Sequence, residues 1–172
     1  DTSTWKTYTS SKYNFSIKYP SQLEANDTTA APPSLLIEPP QTGLGAPGFP
    51  TFYVSVMQDP PDPNDIVYER FSKEDLEDLF AAKVGATIPI GASKTPKSPD
   101  SEYWKFKRLP DIQIGDKTAY VFENNKVWSY GGTNRRVLLK SQDQIFMFGT
   151  YYSGKNTLNN FNLLLSTFKF TK

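Results

Sequence analysis

A chain of 172 residues can bury roughly two-thirds of its unfolded surface, so its core needs neither metal nor disulfide. Aromatic residues at 15% and charged residues at 22% place it among folded globular proteins, and a formal charge of +1 from 19 basic and 18 acidic residues excludes a general pull toward nucleic acid or an anionic membrane, leaving only local patches. With no histidine and no cysteine, the Ser-His-Asp and Cys-His catalytic pairs, thiolate chemistry and the common zinc sites are excluded as well.

The first residues, DTSTW, lack the charged and apolar regions of a signal peptide, and their abrupt polar start fits a processed ectodomain. From Trp5 to Pro20 the chain reads as a hairpin: Thr4 to Thr9 forms one arm, and Tyr13, Phe15, Ile17 and Tyr19 alternate with polar residues in the other. Pro20 ends the pairing because it cannot donate to a ladder. Glu24 to Pro50 is rich in Thr, Ala, Pro and Gly, and its apolar run Leu35 to Ile37 predicts one strand between long loops. Thr51 to Met57 predicts a strong strand, followed by the loop DPPDPND, whose prolines forbid regular structure.

Ser72, with Asp75 three positions later, predicts a capped helix whose apolar stripe is Leu76, Leu79, Phe80 and Val84 and whose stop is Gly85. A loop from Gly91 to Ser101 leads into an alternating strand, Tyr103 to Leu109. A meander follows: strands at 118–122, 127–130, 135–140 and 144–151, with turns at Asn124 and Asn125, Gly131 to Asn134 and Ser141 to Asp143. From about Thr157 a helix carries Leu158, Phe161, Leu164 and Leu165 at helical spacing, and Thr167 to Thr171 returns as a strand.

The hairpin pattern Tyr13, Phe15, Ile17, Tyr19, Pro20, Ser21, the late meander and the closing Phe161, Asn162, Leu165, Ser166, Thr167, Phe168, Lys169, Phe170 resemble PsbP-like domains of the Mog1/PsbP fold, especially bacterial ectodomains behind a lipoprotein signal or membrane anchor. The resemblance spans the chain in outline and is close at the two ends. It implies an α+β domain, an antiparallel sheet of six or more strands packed with about two helices, and an extracytoplasmic, non-enzymatic role. Two departures stand out: Leu23 replaces a Trp often found after the Tyr-Pro-Ser element, and Ala31 to Pro50 looks like an insertion. No functional residue is carried over from the family. The whole of 1–172 is expected to be a single domain with Pro-rich loops near 31–50, 59–65 and 91–101.

Several motifs carry candidate chemistry. Gly149, Gly154 and Lys155 nearly match a phosphate-binding loop between a strand and a helix, but Asn156 stands where a magnesium ligand is required and Tyr151 and Tyr152 crowd the loop. Ser166 and Lys169 have the spacing of serine acyl-enzymes but straddle a helix end and lack the companion motifs. Asp59, Asp62 and Asp65 offer hard oxygen ligands for weakly held calcium, against the plainer reading of an exposed connector without the glycine turn of a calcium loop. Glu74, Asp75, Glu77 and Asp78 read as the solvated face of the first helix.

Aromatic side chains remain. Most build the core, while Trp128, Tyr130, Tyr151 and Tyr152, beside glycine turns and rimmed by Arg135, Arg136 and Lys155, form the candidate surface for a protein or glycan partner. The expected function is a non-catalytic binding or accessory module, with a carboxylate-dependent hydrolase or an envelope spacer as alternatives. No catalytic residue, cofactor, tightly held metal or nucleic acid is expected; the domain is expected to be a monomer that meets a membrane only through an anchor outside these residues.

Overall fold

A computed structural model describes residues 1–27, 34–40, 52–58, 72–90, 105–124, 133–152 and 155–171. The elements in chain order are β1 (Lys6–Ser10), β2 (Phe15–Tyr19), β3 (Glu24–Asp27), β4 (Ser34–Glu38), β5 (Phe52–Gln58), α1 (Lys73–Ala81), β6 (Thr87–Pro89), β7 (Lys105–Ile114), β8 (Lys117–Asn124), β9 (Thr133–Ser141), β10 (Gln144–Tyr152), α2 (Lys155–Ser166) and β11 (Lys169–Phe170). Eight strands form one sheet in the order β3-β4-β5-β10-β9-β8-β7-β6, and β1-β2-β11 form a second. Each described pairing is antiparallel. The α+β class expected from the sequence is the one observed.

Period-two alternation decides which side chains meet. On β2, Phe15, Ile17 and Tyr19 are buried while Ser16 and Lys18 are not, so the small sheet lays one face on the large one. Between them Phe161, Leu164 and Leu165 of α2 and Phe168 pack with Val54, Val137, Leu139, Phe146 and Phe148 of the large sheet. The opposite face packs Leu76 and Leu79 of α1 against Met57, Phe106, Leu138, Ile145 and Met147. Burying each such side chain stabilises the fold by about 1.5–3 kcal/mol.

The two ends of the chain meet on β2. Phe170 pairs with Phe15 and Lys169 with Ser16, while Thr171 N–H donates to Asn14 O at 2.8 Å and Lys18 N–H to Thr167 Oγ1 at 2.9 Å. Phe168 lies at 5.4 Å from Phe15, 5.6 Å from Phe146 and 4.9 Å from Phe148, ring centre to ring centre, the range in which aromatic pairs attract beyond their area.

Several expectations need correction. Val84 is no part of the α1 stripe: the helix ends at Ala81 with an extended cap at Ala82, and Val84 is 59% exposed in the turn that holds Gly85 at φ 90°. Asp75 is buried rather than solvated, because it closes a capping box in which its own N–H donates to Ser72 Oγ at 3.1 Å and its carboxylate accepts from Ser72 N–H at 2.9 Å. Asn124, Thr133 and Asn134 extend strands instead of forming turns, and α2 starts at Lys155. Edge strands β3 and β6 are additional: short and charged or proline-bearing, they have no apolar alternation to reveal them, and neighbouring strands recruit them. The expected strand at 127–130 and the loops at 59–65 and 91–101 lie outside the described residues, as does 31–50 apart from residues 34–40.

Candidate functional site

The central strands converge at one end of the large sheet. Asn124, near which β8 ends, pairs with Asn134; Tyr151 pairs with Asn134 and Tyr152 with Thr133. Tyr151 and Tyr152 thus close β10 beside the two strand ends joined by residues 125–132. Trp128 and Tyr130 belong to that connection and lie outside the described residues.

Beside this end lies a row that the sequence reading missed. Register aligns Tyr53, Gly149, Arg136, Phe122 and Arg108 across β5, β10, β9, β8 and β7. Gly149 leaves the space into which the Tyr53 ring leans, since a Cβ there would lie 1.9 Å from Tyr53 Cζ. The Arg136 guanidinium then stands 5.0 Å from the Tyr53 ring centre and 5.8 Å from that of Phe106. Arg108 sits 4.7 Å from Tyr120 and 5.1 Å from Phe122. Such contacts strengthen when water is excluded, and both arginines are 2% exposed.

Arg108 has a structural task. Its Nη1 donates to Leu109 O at 2.5 Å and its Nη2 pairs with the Asp111 carboxylate, which pins the irregular register between Leu109 and Ile112. Arg135 and Arg136 are adjacent and therefore point to opposite faces, so they do not share a polar rim around the tyrosines. Arg135 is half-buried and pairs with Glu123 Oε2 through Nε at 3.0 Å and Nη2 at 2.5 Å. The isolated glycine within a strand was the available signal, because it marks close approach of another group. Around Arg136, packing by Leu79, Ile90, Phe106 and Met147 leaves no room for a water molecule.

A second polar site lies where β1 meets β3. The Tyr8 hydroxyl donates to Asp27 Oδ1 at 2.5 Å, next to a cavity of about 20 Å³ that Ser10, Tyr13 and Phe15 also line. That volume holds one water. Burial first, then the hydrogen bond to Asp27, pushes the Tyr8 phenol up to about 12.

The remaining motifs are placed by their elements. Gly149 lies inside β10 under the Tyr53 ring, in an antiparallel strand rather than a phosphate-wrapping loop. Ser166 ends α2 and donates to Leu163 O at 2.7 Å, whereas Lys169 belongs to β11, so the two do not share a helical turn. Asp59, Asp62 and Asp65 lie outside the described residues. Among the described residues no group of three or more His, Cys, Asp or Glu is placed to hold a metal ion.

With this geometry in view, the chain is similar to the solution structure of cyanobacterial PsbP (CyanoP) from Synechocystis sp. PCC 6803, at a TM-score of 0.51 and 10% identity, over 96% of this chain and 92% of that one. The fold is PsbP-like. The resemblance at the two ends of the sequence therefore extends to the architecture between them. A crystal structure from Bacteroides thetaiotaomicron VPI-5482 is matched at a TM-score of 0.41 and 14% identity over 97% of this chain, which spans 48% of that one. No protein-family model and no curated protein matches the sequence.

Proposed function

We propose that these residues form a single PsbP-like domain that works outside the cytoplasm, secreted or anchored to the cell envelope, as a monomeric, non-catalytic accessory module. It recognises a protein or glycan partner through aromatic residues at the end of the large sheet where β8, β9 and β10 converge. What supports this reading is topological: Tyr151 and Tyr152 end β10 in register with Asn134 and Thr133, at the end of the sheet where β8 stops and β9 starts, and in the sequence Trp128 and Tyr130 fall between those two strands. Rigid aromatic residues give large contact area at small entropic cost, which suits recognition. The PsbP-like architecture supports an accessory role in the same direction.

The test is capture of envelope proteins and glycans by immobilised domain, wild type against Tyr151→Ala/Tyr152→Ala. Loss of capture by ~1 kcal/mol or more, with the melting temperature nearly unchanged, is the expected result. Equal capture by the double variant, or tyrosines protected from solvent-borne modification, removes this surface. Turnover of a polymer substrate by the purified domain overturns the non-catalytic role.

A further inference from the structure

The near-neutral charge conceals a segregation that the fold turns into a surface. From Thr2 to Leu23 the chain carries Lys6, Lys12 and Lys18 and no acidic side chain, and after Asp143 it carries Lys155, Lys169 and Lys172 and again none. Parts of these two segments, far apart in sequence, build one layer: β1 and β2 come from the first, and α2 and β11, which follow the central strand β10, from the second. The inner face of that layer is the core shared with the large sheet, so its outer face is what solvent meets.

Register places the charges. Ser16 and Lys18 alternate with the buried Phe15, Ile17 and Tyr19 and so point outward; Lys169 pairs with Ser16, Thr9 with Ser16 and Thr7 with Lys18. Lys18 and Lys169 thus stand as neighbours among hydroxyl groups on one sheet face. Lys12 extends from the β1 to β2 turn and Lys155 from the far end of α2, whereas Lys6 pairs with the inward Tyr19 and its Nζ donates to Leu23 O at 3.3 Å, so it lies off this face. Among the described residues none of the four lysines Lys12, Lys18, Lys155 and Lys169 is ion-paired. On α2 the exposed residues are otherwise Asn156, Asn159, Asn162, Leu163 and Ser166. On the opposite face of the large sheet α1 exposes both signs of charge, Glu74, Glu77 and Asp78 beside Lys73, which pairs with Glu77 at 3.8 Å.

Two observations say that this is more than a solvated face. Lys155 occupies the first turn of α2, where the helix dipole disfavours a cation, and that turn has no acidic residue to offset it. Of the three large apolar side chains exposed among the described residues, Leu163 of α2, 37% exposed, lies on this layer beside Asn159 and Asn162, whereas Phe170 pairs with the inward Phe15 and faces the core. The segments contain lysine and no arginine, and the outward sheet face carries no aromatic anchor of the kind that concentrates binding energy at a protein interface. Point charges on flexible stems beside an exposed leucine match a fluid, laterally mobile anionic surface.

We propose that the outer face of the layer formed by β1, β2, β11 and α2 is a peripheral docking surface for the anionic headgroups of a lipid bilayer. It presents the α1 face of the large sheet away from the membrane. This surface is separate from the aromatic positions of β10, and its test does not depend on them.

The experiment is co-sedimentation with vesicles of phosphatidylcholine alone and of phosphatidylcholine with ~30% phosphatidylglycerol, over ~0.05 to ~0.5 M salt. The protein is expected to bind the anionic vesicles at low salt, to be released as salt rises, and to ignore the neutral ones. Lys18→Glu/Lys169→Glu should weaken that binding by roughly tenfold or more, while Lys73→Glu/Lys83→Glu on the α1 side leaves it unchanged. Because Lys18 is half-buried, Lys155→Ala serves as a second variant: it should reduce vesicle binding while raising, not lowering, the melting temperature. Absence of binding to anionic vesicles at low salt, equal binding to neutral vesicles, or equal losses from both charge-reversal pairs overturns the proposal. Retention on an immobilised acidic polypeptide without vesicle binding overturns it in favour of a protein partner.

Discussion

Replacing Gly149 with alanine adds one methyl group, and the structure says what it strikes. The new Cβ would stand 1.9 Å from Tyr53 Cζ and 2.0 Å from its hydroxyl oxygen, whereas non-bonded carbons rest at about 3.5–4.0 Å. An overlap of that depth is not absorbed by a few tenths of an ångström of adjustment. The Tyr53 ring must leave its place over β10, and with it goes the contact 5.0 Å from the buried Arg136 guanidinium. Overpacking costs about 1–3 kcal/mol, and the displaced cation–π contact about 1–2 more. Against this, alanine restricts the unfolded chain and returns about 0.4–1 kcal/mol. The expected net loss is ~2–4 kcal/mol, a large share of the ~5–15 kcal/mol that holds a typical domain together.

The assay is urea denaturation followed by tryptophan fluorescence, with thermal melting as a check, where the midpoint should fall by roughly 4–16 °C. Tyr53→Ala supplies the control: in that background Gly149→Ala should cost far less, because the ring it strikes is gone. A loss below about 0.5 kcal/mol for Gly149→Ala in the wild-type background, or the same loss with and without the Tyr53 ring, refutes the packing argument.

Two further outcomes are expected. Gln142 holds φ 56° at the first position of the two-residue turn between β9 and β10, where the matching turn between β7 and β8 has Gly115 at φ 61°; Gln142→Gly should raise stability by ~0.5–1 kcal/mol in the same urea assay, and a loss would show that the glutamine side chain is needed there. Tyr8, with its phenol pushed up to about 12, favours the protonated form when folded, so its contribution is intact below the unfolded value near ~10 and is lost as pH rises through about 12. The stability difference between wild type and Tyr8→Phe should therefore narrow across that window, and a difference that is flat with pH would show that the hydroxyl bond to Asp27 is not linked to folding.

Period-two and helical patterns made much of the fold legible. Phe15, Ile17 and Tyr19 identify β2, the run at Thr51 to Met57 identifies β5, and Ser72 with Asp75 marks the start of α1, because each signal is local: alternation, branching or a cap. Strands β3 and β6 were illegible for the complementary reason. EAND and TIP have no pattern of their own and become strands by hydrogen bonding to β4 and β7. Asp75 shows the same limit within a helix, since composition suggested a solvated carboxylate and the capping box turned it inward.

The candidate sites divide along the same line. The sequence by itself determined which chemistries were open, because a chain without histidine or cysteine lacks the groups for them wherever it folds. It also determined, residue by residue, that Thr2 to Leu23 and Gln144 to Lys172 carry no acidic side chain. Only the tertiary structure decided that β1, β2, α2 and β11 form one layer, that Lys18 and Lys169 share a face, and that Arg136 is buried against the Tyr53 ring, which leans over Gly149. Those outcomes depend on strand register between residues up to about 150 positions apart, as in the bond from Lys18 N–H to Thr167 Oγ1. Register is set by the summed packing of both sheet faces, which no local window of sequence contains.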